Sequence, residues 1–288
     1  VRPSTRLFFG ETVGNPGLDV LDIPTVAQIA HDAGVPLLVD STLTSPWLIQ
    51  PFEHGADLLY HSATKFLSGH GTVIGGVLAD SGSFDWAASG KFPGLAEPYE
   101  GFHNMVFTEE STVGAFLLRA RREGLRDFGA CMSPHTAWLI LQGIETLPLR
   151  MARHMENTAR VVEALAGHPF VARVGHPLLE SHPSHALARR LLPRGAGSVF
   201  SFDIKGSRAQ GRAFIDALKI FSHLANVGDC RSLVIHPAST THFRMSDEAL
   251  AQAGIGPGTI RLSIGLEDAA DLIADLKTAL KAAEKAGA

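Results

Sequence analysis

Lys65 follows an apolar run, Ala56-Asp57-Leu58-Leu59-Tyr60-His61, and lies within Ser62-Ala63-Thr64-Lys65-Phe66-Leu67-Ser68-Gly69-His70-Gly71. Lysine is almost never fully buried without a partner. At the end of a buried strand, in a ligand crevice, its amine can form a Schiff base with an aldehyde cofactor. The hydroxyls beside it can bind that cofactor's phosphate. A surface lysine on a polar loop is the plainer alternative. Asp40 is the second candidate. It closes the run Val35-Pro36-Leu37-Leu38-Val39, where a carboxylate is costly unless it meets a cation. A protonated pyridine nitrogen is such a cation, and a neighbouring Asp strengthens that ring as an electron sink. A helix N-cap or turn aspartate is the alternative. Two such residues, ending neighbouring strands, weigh towards chemistry.

The elements that would hold them follow from periodicity. Leu7–Glu11, Val35–Asp40 and Ala56–His61 read as strands. Asp22–Ala33 reads as a helix, with Asp22 at the N-cap, Pro24 in the first turn, and Ile23, Val26, Ala27, Ile29 and Ala30 at helical spacing. Strand, helix, strand, short helix, strand is the order of a parallel α/β sheet. Ligands sit beyond the carboxyl ends of such strands. Glu11, Asn15, Asp40, Ser62, Thr64 and Lys65 all fall at or just past those ends. Thr72–Ala79 reads as a further strand. Ser81–Thr108 is a long aromatic excursion of functional length, with core, interface and lid all open as its role. Helices are expected over Ser111–Glu123 and Pro134–Ala166, the latter broken at Pro148. That break divides the chain into 1–147 and 148–288. The second half reads as α+β, with strands at Ser198–Ile204, Ser232–Ile235 and Thr259–Ser263, a helix at Gly211–Leu218, and an amphipathic helix at Asp268–Glu284 whose inward residues are Leu272, Ile273, Leu276, Ala279 and Leu280.

Composition narrows the class. The 288 residues are 45% hydrophobic and 19% charged, which excludes general disorder. A net charge of −4 without long like-charge runs argues against a nucleic-acid surface. Apolar runs are far too short to span a bilayer, and no secretory leader pattern appears. Cys131 and Cys230, far apart in the chain, read as free thiols of a cytoplasmic protein. Fourteen histidines raise a metal hypothesis. Neither His182 with His185 nor His236 with His242 has a carboxylate at ligand spacing, so no metal is expected. No Gly-x-Ser-x-Gly elbow supports a hydrolase.

The segment from Asp57 to Gly71 closely resembles the cofactor-lysine signature of the Cys/Met-metabolism family, pyridoxal-phosphate enzymes of the aspartate-aminotransferase fold (fold type I). Glu11-Thr12-Val13-Gly14-Asn15-Pro16 resembles that family's Glu…Asn-Pro turn, and Arg261-Leu262-Ser263-Ile264-Gly265-Leu266-Glu267 its carboxylate-binding arginine segment. Asn226-Val227-Gly228-Asp229 through His242, with the Phe84–Thr108 excursion, resembles the O-acetylhomoserine (O-acetylserine) sulfhydrylase branch; other branches read Ser-Leu-Gly at Asn226–Gly228. The resemblance runs the whole length of the chain.

It implies an α/β fold: part of a large, mostly parallel-sheet cofactor domain (1–147), then a C-terminal α+β domain (148–288). The implied cofactor is pyridoxal 5′-phosphate, with Lys65 as catalytic lysine and Asn15, Asp40, Thr42, Ser62 and Thr64 also binding it. Asn15 would approach the 3′ oxygen, Ser62 and Thr64 the phosphate. Arg261, Asn226 and Glu11 would bind substrate, the guanidinium of Arg261 gripping the α-carboxylate in bidentate fashion. The implied reaction converts O-acetylhomoserine and sulfide to homocysteine and acetate in methionine and cysteine biosynthesis. It would run in a cytoplasmic homo-oligomer, a dimer of dimers, with small-molecule partners and neither nucleic acid nor membrane. A γ-lyase or an O-succinylhomoserine enzyme on the same scaffold is the alternative. Two departures bear on tuning: Ser41 replaces the family's Asn, and Leu43 a common aromatic. The family's phosphate-binding loop and ring-stacking aromatic have no counterpart in these residues. An N-terminally truncated, inactive fragment is therefore a further expectation to weigh.

Overall fold

Two sheets, one in each half of the chain, carry the residues singled out above. The computed structural model describes residues 1–287 except Pro16, Thr112, Val113 and Ala253. In the first sheet, β1 (Phe8–Glu11), β2 (Leu37–Asp40) and β3 (Leu58–Ser62) run parallel. Their register sets Glu11 beside Asp40 and Asp40 beside Tyr60, so chemistry-bearing ends align at one sheet rim. Helix α1 (Ile23–Asp32) makes the crossover from β1 to β2. Asp22 does precede it, yet its carboxylate caps no backbone N–H. It accepts from the Thr25 hydroxyl and pairs with Arg190, both at 3.0 Å.

The strand expected at Thr72–Ala79 is β4 (Gly76–Asp80), and it runs antiparallel to β3. The link from Lys65 to Gly76 holds only a turn through Gly69 and Gly71, both at positive φ. That is too short for the crossover a parallel neighbour needs. At the other edge β1 pairs, among the described residues, with β2 alone, and Phe9 is 61% exposed.

Helices α2 (Pro134–Glu145) and α3 (Leu147–Ala166) are separated at Thr146. Pro148 lies in the first turn of α3, where no backbone donor is lost. The second sheet has the order β5-β6-β9-β8-β7, from β5 (Val171–Gly175), β6 (Val199–Ile204), β7 (Ser222–His223), β8 (Leu233–Ile235) and β9 (Thr259–Ser263). Only β7 and β8 pair in parallel. Helix α4 (Arg208–Ala217) packs on α5 (Ala269–Lys285), whose Leu272, Leu276, Ala279 and Leu280 are buried while Ile273 is partly covered. One core joins both sheets: Leu37 and Val39 share it with Met151 and Val162 of α3 and with Phe200 and Phe202 of β6.

The excursion forms a satellite core. Trp86, Leu95 and Phe107 bury themselves with Leu58, and Trp86 stacks on Phe116 at 5.5 Å. The helix expected over Ser111–Glu123 includes Thr112 and Val113, outside the described residues. Beyond them helical structure runs from Ala115 to Phe128 through a wider turn at Ala120–Leu125. Among the described residues, no helix is long and apolar enough to cross a membrane.

Candidate active site

Past β3 the chain enters a single wide helical turn, Ala63–Leu67, which Lys65 interrupts with φ −96° and ψ −125°. Its neighbours Ala63 and Phe66 are fully buried, so the backbone is anchored while the lysine side chain leaves it. The Lys65 amine donates to the Asn226 side-chain oxygen. Burial pulls its pKa below the ordinary value, and the nearby Arg261 charge pulls the same way. Both favour a neutral amine.

Lys65 opens onto a cavity of about 250 Å³. Six of the nine anticipated site residues line it: Glu11, Asn15, Asp40, Thr42, Ser62 and Lys65. Leu43 and Tyr60 add apolar wall. Asp40 accepts the Thr42 N–H at 2.9 Å, and among the described residues it has no ion-pair partner. The Thr42 hydroxyl accepts the Ser62 N–H at 2.8 Å, tying the ends of β2 and β3 together. Ser41 turns inward, its hydroxyl 2.7 Å from that of Thr44. Beneath the rim, His61 is buried with Nδ1 unpartnered. Burial lowers its pKa, opposed by the Asp40 charge.

The other three site residues are placed differently. Thr64 is absent from the cavity lining; its hydroxyl accepts the Gly75 N–H at 3.1 Å and donates to the Gly75 carbonyl at 3.3 Å. Asn226 reaches the cavity only through Lys65, although its neighbour Val227 lines it. Arg261 sits within β9, opposite Ser201 of β6 and Ile235 of β8. Its guanidinium makes no hydrogen bond or ion pair among the described residues, and burial lowers its pKa. A half-buried cation without a partner is an anion site in waiting.

Two further residues matter: Gly228 was noted in the sequence only as part of the branch motif, and Arg150 went unflagged. Gly228 has φ +76°, and a Cβ there would stand 3.0 Å from the Phe66 nitrogen and 3.1 Å from the Lys65 Cβ. Only glycine lets the 226–229 loop lie this close to the lysine turn. Arg150 is buried and donates to the carbonyls of Phe66 (2.8 Å), Leu67 (3.3 Å) and Gly143 (2.6 Å). Its signal was a charge on the apolar face of α3, between Leu147 and Met151. Among the described residues, no group of three His, Cys, Asp or Glu side chains could hold a metal, and both cysteines are free.

Residues 1–281 match the family model described as Cys/Met metabolism PLP-dependent enzyme. An O-acetyl-L-homoserine sulfhydrylase of Leptospira meyeri is 49% identical over 96% of this chain, which spans 64% of that protein. A homocysteine synthase of Schizosaccharomyces pombe is 47% identical over 97% of the chain and 66% of its own length. Among solved structures, an O-acetylhomoserine (thiol)-lyase of Campylobacter jejuni superposes with a TM-score of 0.91 at 38% identity. The match covers 96% of this chain and 66% of that one, which carries N′-pyridoxyl-lysine-5′-monophosphate. A cystathionine gamma synthase of Xanthomonas oryzae superposes with a TM-score of 0.79 at 36% identity, over 98% and 65% of the two chains. The chain thus spans about two thirds of its relatives' length.

Proposed function

The chain belongs to the Cys/Met metabolism PLP-dependent enzymes, and from that premise we propose that its site replaces the acetate of O-acetylhomoserine with sulfide, giving homocysteine and acetate. The observation that carries this reading is the convergence of Lys65, Asp40, Asn15 and Ser62 on one cavity, with the Arg261 guanidinium of β9 unpartnered among the described residues and its charge acting on the Lys65 amine. The residues fit pyridoxal 5′-phosphate. Asp40 offers a carboxylate without a cationic partner, and Lys65 an amine for the aldehyde. The Ser62 side chain lines the cavity near them. When bound, the cofactor supplies an electron-accepting ring that stabilises negative charge beside the amino acid's nitrogen.

The chain's own residues do the rest. Arg261 grips the substrate α-carboxylate. Lys65, whose amine burial biases towards the neutral form, takes the proton from Cα and then one from Cβ before acetate leaves, and returns protons to Cβ and Cα once the C–S bond has formed. Asp40 would keep a proton on the ring nitrogen and Asn15 would lie at the 3′ oxygen, while Thr42 braces the rim. Ser62 and Thr64 would hold the phosphate, the Thr64 hydroxyl being bonded to Gly75 here. Glu11 and Asn226 border the substrate, with Asn226 also receiving the freed Lys65 amine. Acetate leaves Cγ as the C–O bond breaks, and sulfide forms the new C–S bond there. Acetyl-homoserine enzymes among the relatives, and the higher TM-score of the thiol-lyase, support this reading over a cystathionine-forming one.

The boundary between the halves, 1–147 and 148–288, falls beside the helix break at Thr146. Assembly as a dimer of dimers is supported by exposed Trp138, Leu141 and Ile144 on one side of α2. A cytoplasmic site of action is in keeping with two free thiols. The test is product analysis of the cofactor-loaded chain given O-acetylhomoserine with and without sulfide. Homocysteine and acetate in equal amounts, abolished by Lys65→Ala, is the expected result. Acetate released with a 2-oxo acid and ammonia, unaltered by sulfide, would replace the proposal with a γ-lyase.

A further inference from the structure

Arg150 is a buried guanidinium with no carboxylate partner among the described residues. Burial lowers its pKa, so its charge is held at a cost. An apolar residue would fill the same space more cheaply. What the guanidinium does is donate to Phe66 and Leu67, the closing carbonyls of the lysine turn. Carbonyls at a helix end have no intrahelical partner, and a cation suits their dipoles. Its remaining donors reach the Gly143 carbonyl and the Thr146 hydroxyl at the junction of α2 and α3. Gly69 follows with φ +73°, where a Cβ would collide with this guanidinium.

The same face of α3 reaches a second place. His154 Nδ1 donates to the Ile264 carbonyl at 2.7 Å. Asn157 donates to the carbonyls of Gly265 (3.0 Å) and Glu267 (2.8 Å). These carbonyls lie in the turn that follows β9, the strand of Arg261. His154 also meets the Phe66 ring edge-on at 5.4 Å. Residues 150 and 157 are two turns apart, about 10 Å along the helix axis. One rigid element thus holds the lysine turn at one point and the exit of the arginine strand at the other.

We propose that Arg150 is a positioning residue: by gripping the carbonyls after Lys65 from the helix that also grips the turn after Arg261, it sets where the Lys65 amine stands relative to that guanidinium. The inference rests on Lys65 being the reacting amine. It extends that reading to a residue that touches neither substrate nor cofactor.

The test uses the 288-residue chain with no cofactor added. Two quantities are measured: amide hydrogen exchange across residues 66–70, and the pH profile of trace acetylation of Lys65 by acetic anhydride, read by mass spectrometry. In Arg150→Gln, exchange across 66–70 rises at least about tenfold, the loss expected for one charged hydrogen bond. The Lys65 acetylation midpoint moves up towards that of an ordinary lysine, while residues 264–267 stay protected. Arg150→Lys keeps the charge but not the fork. It recovers part of the protection and leaves the midpoint between the other two. Asn157→Ala gives the converse: faster exchange at 264–267 with the Lys65 profile unchanged. A wild-type Lys65 profile in folded Arg150→Gln overturns the proposal, as does one in folded Arg150→Lys should the glutamine variant not fold. Failure of the functional reading shows elsewhere, as homocysteine formation that survives Lys65→Ala.

Discussion

The two basic side chains of the site are held in opposite ways. Arg261 belongs to β9, hydrogen-bonded on both sides by β6 and β8, so the ladder alone fixes its direction and height. Lys65 lies in an irregular turn whose position is borrowed from afar. Arg150 arrives 85 positions later in the chain, Gly228 lies so close that an added Cβ would meet the Phe66 nitrogen and the Lys65 Cβ, and the Cys230 N–H reaches the Gly69 carbonyl at 2.8 Å. A ladder residue is vulnerable chiefly at its own side chain. A turn residue is vulnerable wherever its distant supports are.

Acid should strain both regions, and by the largest amount. Burial pushes His154, beside the lysine turn, down to about 4, and likewise His176, under β6. A histidine whose folded pKa is depressed takes up a proton more readily when unfolded, so stability is full above about pH 6.5 and falls as pH drops towards 4. At pH 4.5 each should cost roughly 2–3 kcal/mol. Urea melts at pH 7 and 4.5 measure this. His154→Gln and His176→Gln should each remove roughly 2–3 kcal/mol of the difference, and a pH-independent midpoint would refute the buried neutral histidines.

Gly228→Ala sharpens the contrast more locally. Alanine there meets both a left-handed backbone and the Phe66 nitrogen, so a loss of about 2–4 kcal/mol is expected from chemical denaturation. Gly90, at φ +65° with no atom near its missing Cβ, is the control and should lose only about 1 kcal/mol as alanine. Equal losses would mean that contact with the lysine turn is irrelevant. The smallest effect is Arg261→Lys. Substrate KM should rise about tenfold as the bidentate grip is lost, with thermal stability unchanged because the guanidinium has no partner among the described residues. A drop in stability with KM intact would make Arg261 structural.

Much of this arrangement was legible in the residues. The strand ends at Glu11, Asp40 and Ser62 could be aligned because alternation and a βα crossover leave few choices. Periodicity gave the strand at Thr259–Ser263, but Arg261 was singled out only because Arg261–Glu267 resembles the family's carboxylate-binding segment. Less legible was everything that depends on a return visit of the chain. Asp22 occupies the capping position, but Thr25 and Arg190 claim its carboxylate. Thr64 looks like a phosphate ligand until the antiparallel return of β4 brings Gly75 to its hydroxyl. Arg150, a charge on the apolar face of α3, has no explanation until the lysine turn is seen beneath it. β5, with two exposed residues of five, lacked any periodic signature.

For the 288-residue chain tested on its own, the β1 rim, left unpaired by the described residues, makes protein concentration an experimental variable. Its outward N–H and C=O groups repeat at strand spacing beside an exposed Phe9, which is the template for edge-to-edge growth between molecules. Light scattering should therefore climb with concentration and with salting-out anions, and a lysine placed at Phe9 should quiet it without touching the cavity on the far end of the strand.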